Sequence, residues 1–210
     1  MKIIDAIKNE RGNPFWIPGA IREDIPEFLT QMEFKKGVEV GVAWAQNIVA
    51  YCKAGLEIYG IDPWIKTKDI KFRKIISIEG KYGSTPEGVK QLAIERTKDF
   101  PNCKLIQKTS MEALDDFADR SLDFVYIDAD HSFGHVAMDL DKWKNKVKKG
   151  GAIMGHDYLF TPNPRPFRGA KYAIEAFART YDFENWYVVG KPEESSRHDP
   201  SLSFIFIKHW

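Results

Sequence analysis

Short apolar runs alternate with amphipathic stretches along most of the chain, and glycine and proline punctuate the joins. Seven runs read as strands: Gly37–Val42, Glu57–Asp62, Cys103–Gln107, Leu122–Asp128, Gly151–His156, Trp186–Val189 and Ser203–Ile207. The central ones are apolar almost throughout, as strands covered on both faces should be. Between them, apolar residues recur at helical spacing in Ile25–Phe34, Gln46–Ala54, Glu87–Phe100, Gly134–Val147 and Gly169–Thr180. Gly55 stops the second of these helices, and Lys148 and Lys149 before Gly150–Gly151 suit the carbonyl end of the fourth. Strands alternating with helices predict an α/β fold: a doubly wound, mostly parallel seven-stranded sheet with helices on both faces, Rossmann-like in outline. Two segments break the rhythm. Pro63–Thr85 has no clear period, and Tyr158–Arg168 carries Pro162, Pro164 and Pro166, which exclude regular helix.

Length and charge narrow the picture. The 210 residues suit one domain, with 1–36 as an N-terminal helical or lid segment and 37–210 as the catalytic core. Phe15, Trp16 and Pro18 are the lid's candidate contacts. Lys plus Arg total 31 against 30 for Asp plus Glu, so the net charge of +1 gives no footprint for nucleic acid or an anionic membrane. Cys52 and Cys103 sit apart in apolar stretches, which suits buried, reduced thiols rather than a disulfide scaffold. With neither a signal-peptide pattern nor an apolar run of roughly 18 residues, a cytoplasmic location is the expectation.

In an open parallel sheet, ligands bind beyond the carboxyl ends of the strands, near the point where strand order reverses. The first predicted strand delivers Glu39-Val40-Gly41-Val42 there, and the second delivers Asp62, about 20 residues after Gly41. Glycine at such a turn allows close backbone approach to a ligand, and the carboxylate can accept both hydroxyls of an adenosine ribose. Ordinary strand-edge acids are the alternative; spacing, context and residue type together favour the ligand reading. The G-x-G-x-x-G pattern of pyrophosphate sites is absent, so the ligand should be an adenosyl group without a pyrophosphate.

These residues resemble the cofactor motifs of class I S-adenosylmethionine-dependent methyltransferases. Ile127-Asp128-Ala129-Asp130-His131-Ser132-Phe133 and Gly155-His156-Asp157-Tyr158 are similar to the branch of metal-dependent small-molecule and sugar O-methyltransferases. The resemblance covers Gly37 to Tyr158 and implies S-adenosylmethionine as cofactor. It places the methionine end near Glu39, Gly41 and Val42, the ribose on Asp62, and the adenine near Trp64, Ser110 and Met111; for Met111 a plain core role weighs equally. Ala45 stands where the family usually has a second glycine, and Asn47 where it has Ser or Thr.

The resemblance also implies a divalent metal on Asp128, His156 and Asp157, holding the acceptor's hydroxyls and lowering the pKa of the one that attacks. Magnesium prefers oxygen, so His156 shifts the preference toward manganese, iron, cobalt or zinc; alternatively His156 only hydrogen-bonds nearby and the metal site is degraded. Asp130 or His131 is the candidate base, with Asp130 preferred and His131 orienting substrate. Lys66–Lys74 with Lys81 reads as a solvated face or a cationic rim, Arg165 and Arg168 as anion contacts, and Trp64, Phe133, Tyr158 and Phe160 as stacking surfaces or cover for a hydrophobic edge. His198 and His209 are isolated.

The expected function is methylation of a hydroxyl on a small polyhydroxylated acceptor, a sugar or glycosylated metabolite, with a homo-oligomer completing the pocket. The alternatives are a metal-independent N- or carboxyl-methyltransferase and a non-catalytic adenosyl-binding module on the same fold.

Overall fold

The computed structural model describes residues 1–65, 85–158, 169–191 and 202–210. The lysine cluster from Lys66 to Lys74, Lys81, Phe160, Arg165, Arg168 and His198 lie outside the described residues. Strands are β1 (Phe15–Ile17), β2 (Lys36–Val40), β3 (Glu57–Ile61), β4 (Cys103–Ile106), β5 (Leu122–Ile127), β6 (Val147–Tyr158), β7 (Tyr187–Val189) and β8 (Leu202–Ile207). Helices are α1 (Ile3–Asn9), α2 (Ile25–Gln31), α3 (Gln46–Lys53), α4 (Pro86–Thr97), α5 (Phe133–Trp143) and α6 (Ala170–Thr180).

All eight strands form one sheet in the order β1-β7-β8-β6-β5-β2-β3-β4. Every pairing is parallel except the two that β8 makes, with β6 and with β7. The α/β doubly wound expectation holds, with one strand more than the pattern showed. The chain steps from β2 outward to β3 and β4, then returns to β5 on the other side of β2. The reversal point therefore lies between β2 and β5, where ligands bind in such sheets.

Period-two alternation divides the sheet's side chains between two cores. Phe124 and Tyr126 of β5 face a core built with α1, α2, α3 and α4, while Val125 and Ile127 face one built with α5 and α6. Gly37 and Gly60 are seats for neighbours: a Cβ at the first would overlap the Phe124 ring, and at the second Ile48. Cys52 is buried in the first core and partly buried Cys103 packs against it, both as free thiols, and each perturbs the other's pKa. Their distance in sequence concealed that contact.

Several boundaries differ from the sequence pattern: α2 and α4 end at Gln31 and Thr97 rather than Phe34 and Phe100, and β6 runs from Val147 to Tyr158 rather than from Gly151 to His156. The fourth predicted helix stops at Trp143 rather than Val147, because Val147 already pairs with Leu122 in the sheet. Lys148 and Lys149 are therefore strand residues, and the last-turn cation is Lys142. Lys208 closes this corner with a buried ammonium that donates to the Lys144 and Val147 carbonyls at 2.9 and 2.7 Å. At the N-terminus, Phe15–Ile17 pairs in parallel with Tyr187–Val189 and becomes an edge strand, and Trp16 packs on Tyr158 with ring centroids 5.6 Å apart. No helix of the described residues is long and apolar enough to cross a membrane.

Candidate active site

Three strand ends are stitched together where β2, β3 and β5 meet. The Gly41 amide donates to the Ile61 carbonyl and the Asp128 amide to the Val40 carbonyl, each at 2.8 Å. Gly41 has φ +91°, and a Cβ there would overlap the Asp128 carbonyl and the Ala129 backbone. Glycine is thus required by the crossing of two loops as well as by any ligand.

The loop after β2 is wound tightly, with Ala43 at φ 46° and Ala45 at φ 63°. Asp62 holds it: one carboxylate oxygen accepts from the Val42 and Ala43 amides at 3.1 and 2.9 Å, and the other from the Trp64 amide at 2.7 Å. Burial pushes the Asp62 carboxyl up, and those backbone amides restrain the rise. Trp64 is itself buried and donates its indole N–H to the Ala43 carbonyl at 2.9 Å, so it locks the loop rather than presenting an open face.

Glu39 sits below this loop, 2% exposed. Its Oε1 accepts from the Asn47 side chain at 3.1 Å, while Oε2 is buried with no hydrogen-bond partner. Burial, then the negative charge of Asp128, pushes its carboxyl well above the usual range. A buried acceptor without a donor is costly in isolation and fits a site that receives a cation or an N–H from a ligand.

Asp128 ends β5, and Asp157 reaches it from β6. Between the pairs Gly155–Phe204 and Tyr158–Leu202, one residue of β8, Ser203, opposes two of β6, His156 and Asp157. This bulge puts Asp157 at φ 64° and turns its side chain toward β5, a common use of bulges beside active sites. Asp157 Oδ2 lies 2.7 Å from His131 Nδ1 and 3.6 Å from His156 Nδ1, and Asp128 Oδ1 lies 3.9 Å from His156 Nδ1. Burial pushes Asp157 up, yet its hydrogen bonds with His131 and His156 outweigh that and hold the carboxyl far below its ordinary value. The hydrogen bond to Asp157 raises His131, whose side chain is 47% exposed and so reaches the mouth of the site. His156 lies behind, its side chain 8% exposed.

Ligating atoms of Asp128, His131 and Asp157 all lie within 4.8 Å of one another. Two carboxylates and an imidazole at that spacing fit a divalent transition ion, so the donor set passes the chemical test for a metal. The convergent set has His131 where the sequence motif pointed to His156, which stands behind Asp157.

Asp130 turns to its own loop: its carboxylate accepts from the Ser132 amide at 2.8 Å and lies 3.2 Å from His135 Nδ1. Burial raises it, and the Ser132 hydrogen bonds more than offset this, so Asp130 stays ionised below its usual pKa. Ser110 also points inward. Its hydroxyl accepts from Trp143 Nε1 at 2.8 Å and donates to Asp139, which is 4% exposed. Burial pushes Asp139 up to about 6. Met111 stands at the N-cap of the 3₁₀ turn Glu112–Asp116.

Sequence reasoning missed Asn47 as the partner of Glu39, and Asp139. It also missed Arg22, whose charge bears on Glu39, Asp128, Tyr51 and Tyr126. Asn47 was visible as a departure from the family pattern. Arg22 carried no signal, because its position depends on the unpredicted edge strand.

The fold and this strand-end site define a class: the chain belongs to the methyltransferase-domain family, whose profile matches residues 36–158, and to its class I S-adenosylmethionine-dependent architecture. Among curated proteins, the uncharacterized protein y4gI of Sinorhizobium fredii is 24% identical over 127 residues. The match takes in 57% of this chain but only 13% of that protein's length. Among solved structures, a putative caffeoyl-CoA O-methyltransferase from Staphylococcus aureus superposes with TM-score 0.59 at 13% identity, covering 97% of this chain and 88% of that one. An O-methyltransferase from Bacillus cereus in complex with SAH gives 0.60 at 10% identity, with 89% and 80% covered. An rRNA methylase from Streptococcus thermophilus gives 0.57 at 13% identity, with 89% and 95% covered. At such identities these likenesses establish the fold and leave the acceptor open.

Proposed function

We propose that this protein transfers a methyl group from S-adenosylmethionine to a hydroxyl of a small polyhydroxylated acceptor, a sugar or glycosylated metabolite, with help from a divalent metal. The observation that carries the reading is the convergence of Asp128, His131 and Asp157 beside the buried, unsatisfied oxygen of Glu39. Donor recognition and acceptor activation then share one sheet edge.

When bound, S-adenosylmethionine supplies a methyl on a cationic sulfur, and a divalent ion supplies the polarisation that acidifies an acceptor hydroxyl. The residues of the chain do the rest. Glu39 receives the donor's amino-acid end, and the Asp62-tied loop cradles its nucleoside. Asp128, His131 and Asp157 would hold the ion, and His156 fixes the orientation of Asp157 from behind. Asp130, held ionised by the Ser132 amide in the loop after β5, would be the acceptor for the hydroxyl's proton. The walls of the site hold acceptor oxygen and methyl in line, so positioning supplies most of the remaining acceleration.

The test is a methyl-transfer assay on a panel of vicinal diols, with and without chelator, on the parent and on Asp128→Asn. Turnover that chelator abolishes, that manganese or magnesium restores, and that Asp128→Asn lacks would support the reading. Chelator-insensitive turnover of a diol would remove the metal from the reading, and turnover confined to amines or carboxylic acids run beside the panel would replace it with metal-free N- or carboxyl-methylation. Cofactor binding with no turnover on any acceptor would replace it with a binding module.

A further inference from the structure

The loop between β2 and α3 is wound against the preferences of its own residues. Ala43 and Ala45 both hold positive φ, at 46° and 63°, a region that costs alanine what it does not cost glycine. Such a turn persists only where its surroundings hold it. Its amides are held from β3, where Asp62 accepts from Val42 and Ala43. Its carbonyls are held separately. That of Val42 accepts from the Ala45 amide at 2.8 Å, that of Ala43 from the Trp64 indole at 2.9 Å, and that of Trp44 from Arg96 Nη1 at 3.0 Å. Arg96 comes from α4, whose buried Val89 and Ala93 share a core with Ile48 and Cys52 of α3. Three residues after Ala93, partly buried Arg96 stands one turn further along that helix, and its guanidinium crosses back to the loop.

Building on the donor reading above, we propose that Arg96 is a positioning residue for the methyl donor. By holding the Trp44 carbonyl it keeps the left-handed Ala43–Ala45 turn in the one conformation that receives the donor's nucleoside. The donor binds the wound loop, so its apparent affinity falls with the fraction of molecules in which the loop is wound. A guanidinium on a carbonyl makes a charge-assisted hydrogen bond, stronger than the neutral amide bonds around it. That strength is what offsets a turn built on alanine. Arg96 therefore acts through the backbone of another element, and its importance depends on the strain that it opposes. Relieving the strain at Ala45 removes most of the need for it, because glycine adopts the same φ freely. An arginine that touched the donor directly, or that only held α4 in place, would show no such dependence.

The experiment is a double-mutant cycle read by calorimetric titration of S-adenosylhomocysteine into the full chain, Arg96→Met, Ala45→Gly and the double variant. Methionine keeps the apolar stem of Arg96 and removes its donors. In the parent background Arg96→Met should weaken binding by about tenfold, the loss expected of one charge-assisted hydrogen bond. In the Ala45→Gly background the same substitution should weaken binding by no more than about threefold, because the turn then holds itself. Circular dichroism of each variant shows that it has folded. If Arg96→Met does not fold, Arg96→Gln, whose neutral amide stays nearer the helix, takes its place under the same criteria. No weakening in the parent background, or weakening as large or larger in the Ala45→Gly background, overturns the positioning role and leaves the donor reading standing. A folded parent that does not bind S-adenosylhomocysteine overturns both.

Discussion

Asp139→Asn should stabilise the protein at neutral pH relative to acid, because Asp139 is an ionisable group buried where its charge is unwelcome. It lies on α5, 4% exposed, with the Ser110 hydroxyl as its hydrogen-bond donor. Burial raises its carboxyl to about 6, whereas an unfolded chain holds aspartate near about 3.9. A folded-state pKa above the unfolded one favours folding fully below about pH 4 and loses that contribution as pH rises through about 6. The gap between those two values, about 2, corresponds to about 3 kcal/mol of stability. Asparagine keeps an acceptor for Ser110 and removes the titration, but it introduces an amide NH₂ whose burial costs about 1 kcal/mol if unpaired. The variant should therefore be less stable than the parent by about 1 kcal/mol at pH 4 and more stable by about 2 kcal/mol at pH 7.5. Urea unfolding of both proteins at pH 4, 5.5 and 7.5 measures this, since the titration of other groups cancels in the difference. A difference that stays constant across that range would refute the buried, uncompensated charge.

Four further variants test the surrounding contacts and the strand-end site. Ser110→Ala should cost about 1–3 kcal/mol in thermal unfolding, because it strips a partner from both Asp139 and the Trp143 indole; an unchanged melting temperature would show that neither bond matters. Glu39→Gln should raise the melting temperature, since it relieves a buried acid, while weakening S-adenosylhomocysteine by about tenfold or more; tighter binding by the variant would contradict the placement of the donor's amino-acid end on Glu39. Ala45 sits at φ 63° with a buried methyl, so Ala45→Gly should fall within about 1 kcal/mol of neutral as strain relief and lost packing offset. Ala45→Val should instead destabilise by more than about 2 kcal/mol, because a β-branched residue tolerates that region poorly; equal unfolding midpoints for the two variants would rule out backbone strain.

The parts of the site legible in the sequence are those that a single strand end delivers. Glu39-Val40-Gly41 and Asp62 stand on adjacent parallel strands, paired Glu39 with Gly60 and Val40 with Ile61, so their offset in sequence translates directly into proximity. Asp128 and Asp157 were legible for the same reason, as the ends of neighbouring β5 and β6. Long-range pairing was not. Phe15–Ile17 is three residues between prolines, too short for a period to show, and it becomes a strand only because Tyr187–Val189 offers an edge. Arg22 follows from that pairing and was hidden with it. The bulge in β6 was equally hidden: the sequence pattern ends the strand at His156, whereas it runs to Tyr158, and only the pairing with β8 reveals the extra residue.

That extra residue decides which histidine meets the acids. In an unbroken strand His156 and Asp157 would point to opposite faces, and a cluster taking both from β6 would need the chain to twist between them. The bulge lets Asp157 swing to the rim against His131, while His156 stays buried with its Nδ1 facing the same carboxylate. One carboxylate thus sits between two imidazoles, one exposed and one enclosed. The exposed one can exchange partners with a ligand; the enclosed one cannot move without disturbing the β6–β8 pairing. The chemistry of the site therefore depends on a strand that contributes no group to it: shortening β8, or restoring regular pairing opposite Ser203, would disperse Asp128, His131 and Asp157 without touching any of them.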